Sequence, residues 1–142
     1  MSPKDTVIEM LRATDEGRYD DFRARLEPDC GWVNPMVQAQ GPDEIVRALA
    51  AYGEAFPVRR HELSLILDPP GETVAVEGEW VATHTGPLAT PDGDLPATGR
   101  TVRVPFAAVI RVTSGRVASV RVYLDPLGFM AQLGLAPQPA AA

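Results

Sequence analysis

Up to Pro57 the apolar residues of this chain recur every three or four positions, apart from one short stretch at period two, and beyond it every second position, so helices dominate the first part and strands the second. Ser2-Pro3-Lys4-Asp5 reads as a helix start, with a side-chain cap, a proline in the first turn and an acid for the dipole. Val7, Met10, Leu11 and Thr14 then share one face, and Gly17 ends the helix. Asp20-Asp21 opens a short second helix carrying Phe22 and Leu26, stopped by Pro28. Cys30 to Val37 holds Trp32 and Asn34 at period two, a short strand that Pro35 confines to an edge or a bulge. A third helix starts at Gly41-Pro42-Asp43-Glu44, puts Ile45, Leu49, Tyr52 and Phe56 on one face and closes at Pro57.

Four strands follow, Val58 to Leu67, Thr73 to Thr85, Thr101 to Thr113 and Val117 to Leu124, with turn signals at Asp68-Pro69-Pro70-Gly71 and Ser114-Gly115. Helices followed by strands, without βαβ alternation, predict an α+β domain with a mostly antiparallel sheet and helices on one side. The strand faces are legible from parity. Val74, Val76, Gly78, Trp80, Ala82 and His84 share one side, and Val102, Val104, Phe106, Ala108, Ile110 and Val112 do the same on the next strand. Ala118, Val120, Val122 and Leu124 repeat the pattern on the last. The opposite face carries Glu77, Glu79, Arg103, Arg111 and Arg121 and is expected to meet solvent or a second copy of the chain.

Composition narrows the function classes. With 142 residues the chain is expected to form one domain over 1–135, with a flexible tail, APQPAAA, over 136–142. A net charge of −6, from 13 basic and 19 acidic residues, repels phosphate backbones and anionic bilayers, so neither nucleic acid nor membrane is expected as a partner. The single cysteine, Cys30, forms no internal disulfide, and the chain shows no signal-peptide pattern and no long apolar run; both fit a cytoplasmic protein. His61 and His84 have no cysteine or carboxylate at ligand spacing, so no metal site is expected.

The last third of the chain supplies a more specific signal. Thr83-His84-Thr85-Gly86-Pro87, the loop segment Pro96-Ala97-Thr98-Gly99-Arg100, the two β-branched runs joined by Ser114-Gly115-Arg116, and Tyr123-Leu124-Asp125 leading to Gln132-Leu133-Gly134-Leu135 together resemble the SnoaL-like polyketide cyclase branch of the NTF2-like superfamily. The resemblance implies a cone: a curved sheet wrapped around the N-terminal helices with a deep apolar pocket, commonly a homodimer. It also implies a cofactor-independent enzyme that closes a ring in a hydrophobic polyketide-type ligand by an intramolecular aldol reaction. In such cyclases a carboxylate on the last strand moves the proton, with a histidine on the strand before it. Aligned on the Gly115-Arg116-Val117 turn, those positions hold Val122 and Ala108 here.

The acid–base group is therefore sought elsewhere. His84, at the end of an apolar strand face, is one candidate, against a core histidine held by the backbone. Asn34 is another, to orient a carbonyl or a water, against an Asx turn before Pro35. Asp125 is the third, against an N-cap before Pro126. Trp32, Met36, Tyr52, Trp80, Phe106 and Val122 are expected to bind the ligand as pocket wall. Tyr19 and Tyr52 are possible phenol donors, and Arg100 is expected to anchor its loop. The alternatives to a cyclase or related isomerase are an NTF2-like epoxide hydrolase or dehydratase, and a non-catalytic binding or dimerisation module.

Overall fold

The computed structural model describes residues 1–135; the tail expected over 136–142 lies outside the described residues. The chain runs α1 (Pro3–Asp15), α2 (Tyr19–Ala24), β1 (Leu26–Asn34), β2 (Val37–Gln40), α3 (Pro42–Ala55), β3 (Val58–Leu67), β4 (Thr73–Thr83), β5 (Leu88–Thr90), β6 (Gly93–Leu95), β7 (Thr101–Thr113), β8 (Arg116–Leu124) and α4 (Pro126–Gln132). Six strands form one sheet in the order β2-β1-β8-β7-β4-β3, antiparallel throughout except where β1 runs parallel to β8. The expected α+β class, with a mostly antiparallel sheet and helices over one face, is the observed architecture.

The first helix starts as its sequence dictates. Ser2 Oγ accepts the Asp5 backbone N–H at 3.1 Å while Asp5 Oδ2 accepts the Ser2 N–H at 3.3 Å, closing a capping box. Val7, Met10, Leu11 and Thr14 are buried against the sheet. The even positions of β7 from Val102 to Val112 are all buried, and Val76, Ala108, Ile110 and Val120 join Phe22, Trp32 and Ile45 in the main core. A second cluster gathers Phe56, Ala82, Val102, Val104, Phe129 and Leu133 under α4.

Three expectations are corrected. The strand expected to be confined by Pro35 to an edge or a bulge is interior, flanked by β2 and β8, and ends at Asn34; Pro35 falls in the Pro35-Met36 turn between β1 and β2, where no ladder N–H is needed. The second helix stops at Ala24, and Pro28 lies within β1 between Leu26 and Gly31, where the pairing with β8 shifts register and tolerates a residue without a donor. The strand expected to run to Thr85 ends at Thr83, and the loop expected between it and Thr101 contains the small β5–β6 hairpin.

Two further features shape the interior. Leu63 pairs with Gly78 and Leu65 with Glu77, so Ser64 is an extra residue, and the inward face of β3 passes from His61 on the cavity and Leu63 against the core to Ile66. Gly78 permits this close crossing, since a Cβ there would stand 2.2 Å from the Glu62 carbonyl oxygen. At the far end Gln132 continues the ladder beyond β8: its side chain accepts the Arg103 N–H at 2.7 Å and donates to the Arg103 carbonyl at 2.8 Å. That contact lays α4 across the sheet with Phe129 inward.

Candidate active site

Between the sheet and the helices lies a cavity of ≈ 120 Å³. Its walls are mostly apolar: Leu11, Leu49, Val104, Phe106, Ala108, Ile110, Val120, Val122, Leu124 and Phe129, with the indoles of Trp32 and Trp80. Into this wall come six polar side chains, those of Thr14, Asp15, Asn34, Tyr52, Arg59 and His61.

Asp15 and His61 form a pair that joins the end of α1 to the edge strand β3. Leu11, Thr14 and Asp15 lie at helical spacing on the cavity face of α1. His61 stands opposite Trp80, which stands opposite Val104, so one register row across three strands leads from the imidazole into the apolar wall. Asp15 Oδ1 lies 2.6 Å from His61 Nδ1, and Asp15 Oδ2 accepts the His61 backbone N–H at 2.8 Å. Both side chains are mostly withdrawn from solvent, at 17% and 14% exposure. An ionised carboxylate only accepts, so the ring proton belongs on Nδ1 and the Nε2 lone pair is left uncommitted. The ring packs edge-on against Phe106 at 5.4 Å. An imidazole oriented by a carboxylate, with its second nitrogen free, has the geometry a general base needs.

Asn34 and Tyr52 complete the polar set. Asn34 Oδ1 accepts the backbone N–H groups of Met36 at 2.8 Å and Val37 at 2.7 Å. This is the Asx turn considered from sequence, and it also fixes the amide so that the oxygen faces the backbone and Nδ2 keeps its two donors. Burial holds the Tyr52 phenol above its usual range, so it remains a proton donor on the cavity wall.

The structure separates the sequence candidates. Trp32, Asn34, Met36, Tyr52, Trp80, Phe106 and Val122 all line the cavity. His84 does not. It is fully buried beyond the cavity wall, stacked on Phe56 at 5.0 Å, with Nδ1 accepting the Thr98 N–H at 3.2 Å and lying 3.0 Å from the Thr98 hydroxyl oxygen. Its backbone is also tied, donating to the Arg100 carbonyl and accepting from Gly99, each at 2.8 Å. His84 is thus a core histidine that fastens the Thr98-Gly99-Arg100 segment. Asp125 is exposed and lies off the cavity. It occupies the N-cap position of α4, and its backbone carbonyl accepts the Phe129 N–H at 3.0 Å, but its side chain makes no capping bond. Arg100 packs its guanidinium over Gly134, where a Cβ would stand 2.9 Å from Cζ, which joins its loop to the end of α4.

Sequence reasoning weighed His61 only as a metal ligand and gave Asp15 no role. The available signal was the helical spacing of Leu11, Thr14 and Asp15, which puts a carboxylate on the buried face of an amphipathic helix. Among the described residues no group of three or more His, Cys, Asp or Glu is placed to hold a metal ion. No helix of the described residues is long and apolar enough to cross a membrane.

The backbone is that of the NTF2-like proteins. A candidate SnoaL-like polyketide cyclase from Jannaschia sp. CCS1 superposes with a TM-score of 0.81 over 95% of this chain and 93% of that one, at 20% identity. A Catenulispora acidiphila protein with a ketosteroid isomerase-like fold, solved with trimethylamine, matches with a TM-score of 0.77 over 98% and 100%, at 17% identity. The model of the SnoaL-like domain matches residues 7–120, and the chain belongs to that family. Two relatives are the aklanonic acid methyl ester cyclase DauD of Streptomyces sp. (strain C5), 29% identical over 94% of this chain and 83% of its own, and the aklanonic acid methyl ester cyclase DnrD of Streptomyces peucetius, 26% identical over 92% and 89%.

Proposed function

We propose that this protein is an acid–base enzyme that closes a ring in a hydrophobic polyketide-type ester, with His61 as the base and Asp15 as its orienting carboxylate. The observation that carries this reading is the Asp15–His61 pair set into an apolar cavity wall. The family and the two ester cyclases among its relatives support the substrate class.

In this reading His61 Nε2 removes a proton from the carbon between two carbonyl groups, and Asp15 stabilises the imidazolium that results. The enolate oxygen is met by Asn34 Nδ2 or the Tyr52 hydroxyl, donors placed before charge develops. The enolate carbon then attacks a second carbonyl carbon of the same molecule, forming one C–C bond. The new alkoxide takes the proton back from His61. The sum is an isomerisation: no atom is gained or lost, no electron is transferred, and no cofactor is called for. Trp32, Met36, Trp80, Phe106 and Val122 serve to hold the flat, apolar remainder of the substrate and to keep water from the enolate.

The test is product formation from an open-ring aromatic polyketide methyl ester, followed by chromatography. The expected product has the mass of the substrate, exceeds the no-enzyme control and disappears with His61→Gln. Tight binding of the ester without closure assigns the chain to a binding role instead.

A further inference from the structure

We infer that Arg59 is a positioning residue for the Asp15–His61 pair, held in place by Tyr19 and by the absence of a side chain at Gly53; the inference rests on reading that pair as the acid–base group. Arg59 lies two residues before His61 on β3, with its side chain on the same inward face. Its guanidinium reaches three oxygens on three different segments. Nη2 donates to the Thr14 carbonyl at 2.7 Å and to the Tyr19 hydroxyl at 3.0 Å, while Nη1 donates to the Phe56 carbonyl at 3.2 Å. Thr14 is the residue directly before Asp15. One side chain therefore ties the backbone that carries the carboxylate to the strand that carries the imidazole. The acceptors are reached from two nitrogens of one planar fork, a spread that the single nitrogen of a lysine ammonium matches only in part.

Gly53 is the independent sign that this arrangement is built. It sits inside α3, where glycine is the costlier choice over alanine for helix formation. A Cβ at this position would stand 2.3 Å from the Tyr19 hydroxyl and 3.1 Å from Arg59 Nη2. The helix thus gives up propensity at the one place where the phenol and the guanidinium cross it. Helix propensity alone predicts that Gly53→Ala is harmless or stabilising; the strap predicts that it moves the base.

The experiment reads the His61 Nδ1 proton directly. A ring proton shared with a carboxylate at short distance resonates far downfield in proton NMR, and the signal follows the geometry without any substrate. The wild type is compared with Gly53→Ala, Arg59→Met, Arg59→Lys and Tyr19→Phe, alongside thermal midpoints and kcat and KM on the open-ring ester. Gly53→Ala and Arg59→Met are expected to shift or broaden the resonance and to lower kcat by roughly tenfold or more, with KM within about twofold. Arg59→Lys recovers part of both. An unchanged resonance and kcat in folded Gly53→Ala and Arg59→Met overturns the inference. If Arg59→Met fails to fold, Gly53→Ala and Tyr19→Phe decide it. A resonance that shifts in these variants of a protein inactive on the ester upholds the positioning role and rejects the ring-closing reading.

Discussion

Asp15 holds His61 at two points, one oxygen on the ring and the other on the backbone N–H. The double grip fixes where the ring stands and which nitrogen carries its proton. Asparagine at 15 can keep the backbone bond, but the amide it then turns toward the ring favours the tautomer with the proton on Nε2, which is not a base. Asp15→Asn is expected to lower kcat by roughly 10²- to 10⁴-fold, with KM nearly constant, as measured by ring closure of the ester. Its thermal midpoint should stay within a few degrees of wild type.

Asn34 does two things through one amide, and two substitutions separate them. Asn34→Asp keeps both backbone bonds to Met36 and Val37 but exchanges the donors facing the cavity for an acceptor. It should fold normally and lose turnover. Asn34→Ala removes the turn bonds as well and should cost about 1–3 kcal/mol in urea unfolding. Full activity in Asn34→Asp would assign the residue to the turn alone.

For His84 the expected loss is of stability. Removing a fully buried imidazole leaves a void beside Phe56 and frees the Thr98 N–H. His84→Ala should cost about 2–4 kcal/mol, while the protein that remains folded at low temperature turns over the ester at the wild-type rate. A stable His84→Ala protein without activity would restore the histidine to the chemistry.

Asp125 is expected to be nearly silent. Because its carboxylate makes no bond to the first turn of α4, Asp125→Ala should shift unfolding by no more than about 0.5 kcal/mol and leave activity intact. A loss near 1 kcal/mol would reveal a side-chain cap that forms in solution.

Cys30 links stability to alkaline pH. Burial, reinforced by Asp29 and Glu27, pushes its thiol from 9.0 up to about 11. Between those values the unfolded chain has released a proton that the folded chain retains, so stability falls as pH rises through that interval. The urea midpoint of wild type should drop between about pH 8.5 and pH 10.5, and Cys30→Ala should drop less. Thiol reagents should label the native protein far more slowly than the unfolded chain.

The sequence made the architecture legible because the long strands keep strict parity. From Val74 to Ala82, Val102 to Val112 and Val120 to Leu124, alternation alone names the buried face, and Trp80, Phe106 and Val122 follow as cavity wall. The base was not legible, for two physical reasons. His61 lies on a long strand whose alternation is broken, since the extra residue at Ser64 exposes Leu65 and Leu67, the positions that would have marked the inner face. Its partner Asp15 is far away in sequence, on a helix. His84 misled for the complementary reason: parity gave the correct face of β4, but the cavity ends before the strand does, and the last inward residue is packed under Phe56 and Thr98.

The parallel pairing of β1 with β8 has a consequence for the order in which the molecule can be made. Trp32 on β1 lies beside Val120 on β8, so one wall of the cavity joins the first strand of the sheet to the last one in chain order. Such a pairing gains nothing until a very long loop has been closed, and contacts of this range slow folding. The helices and the first hairpin leave the ribosome before the strands that complete the cavity wall. The chamber comes into existence only when β8 arrives, so a nascent chain has nowhere to bind a ligand, and any help a ligand gives to folding is confined to the final step.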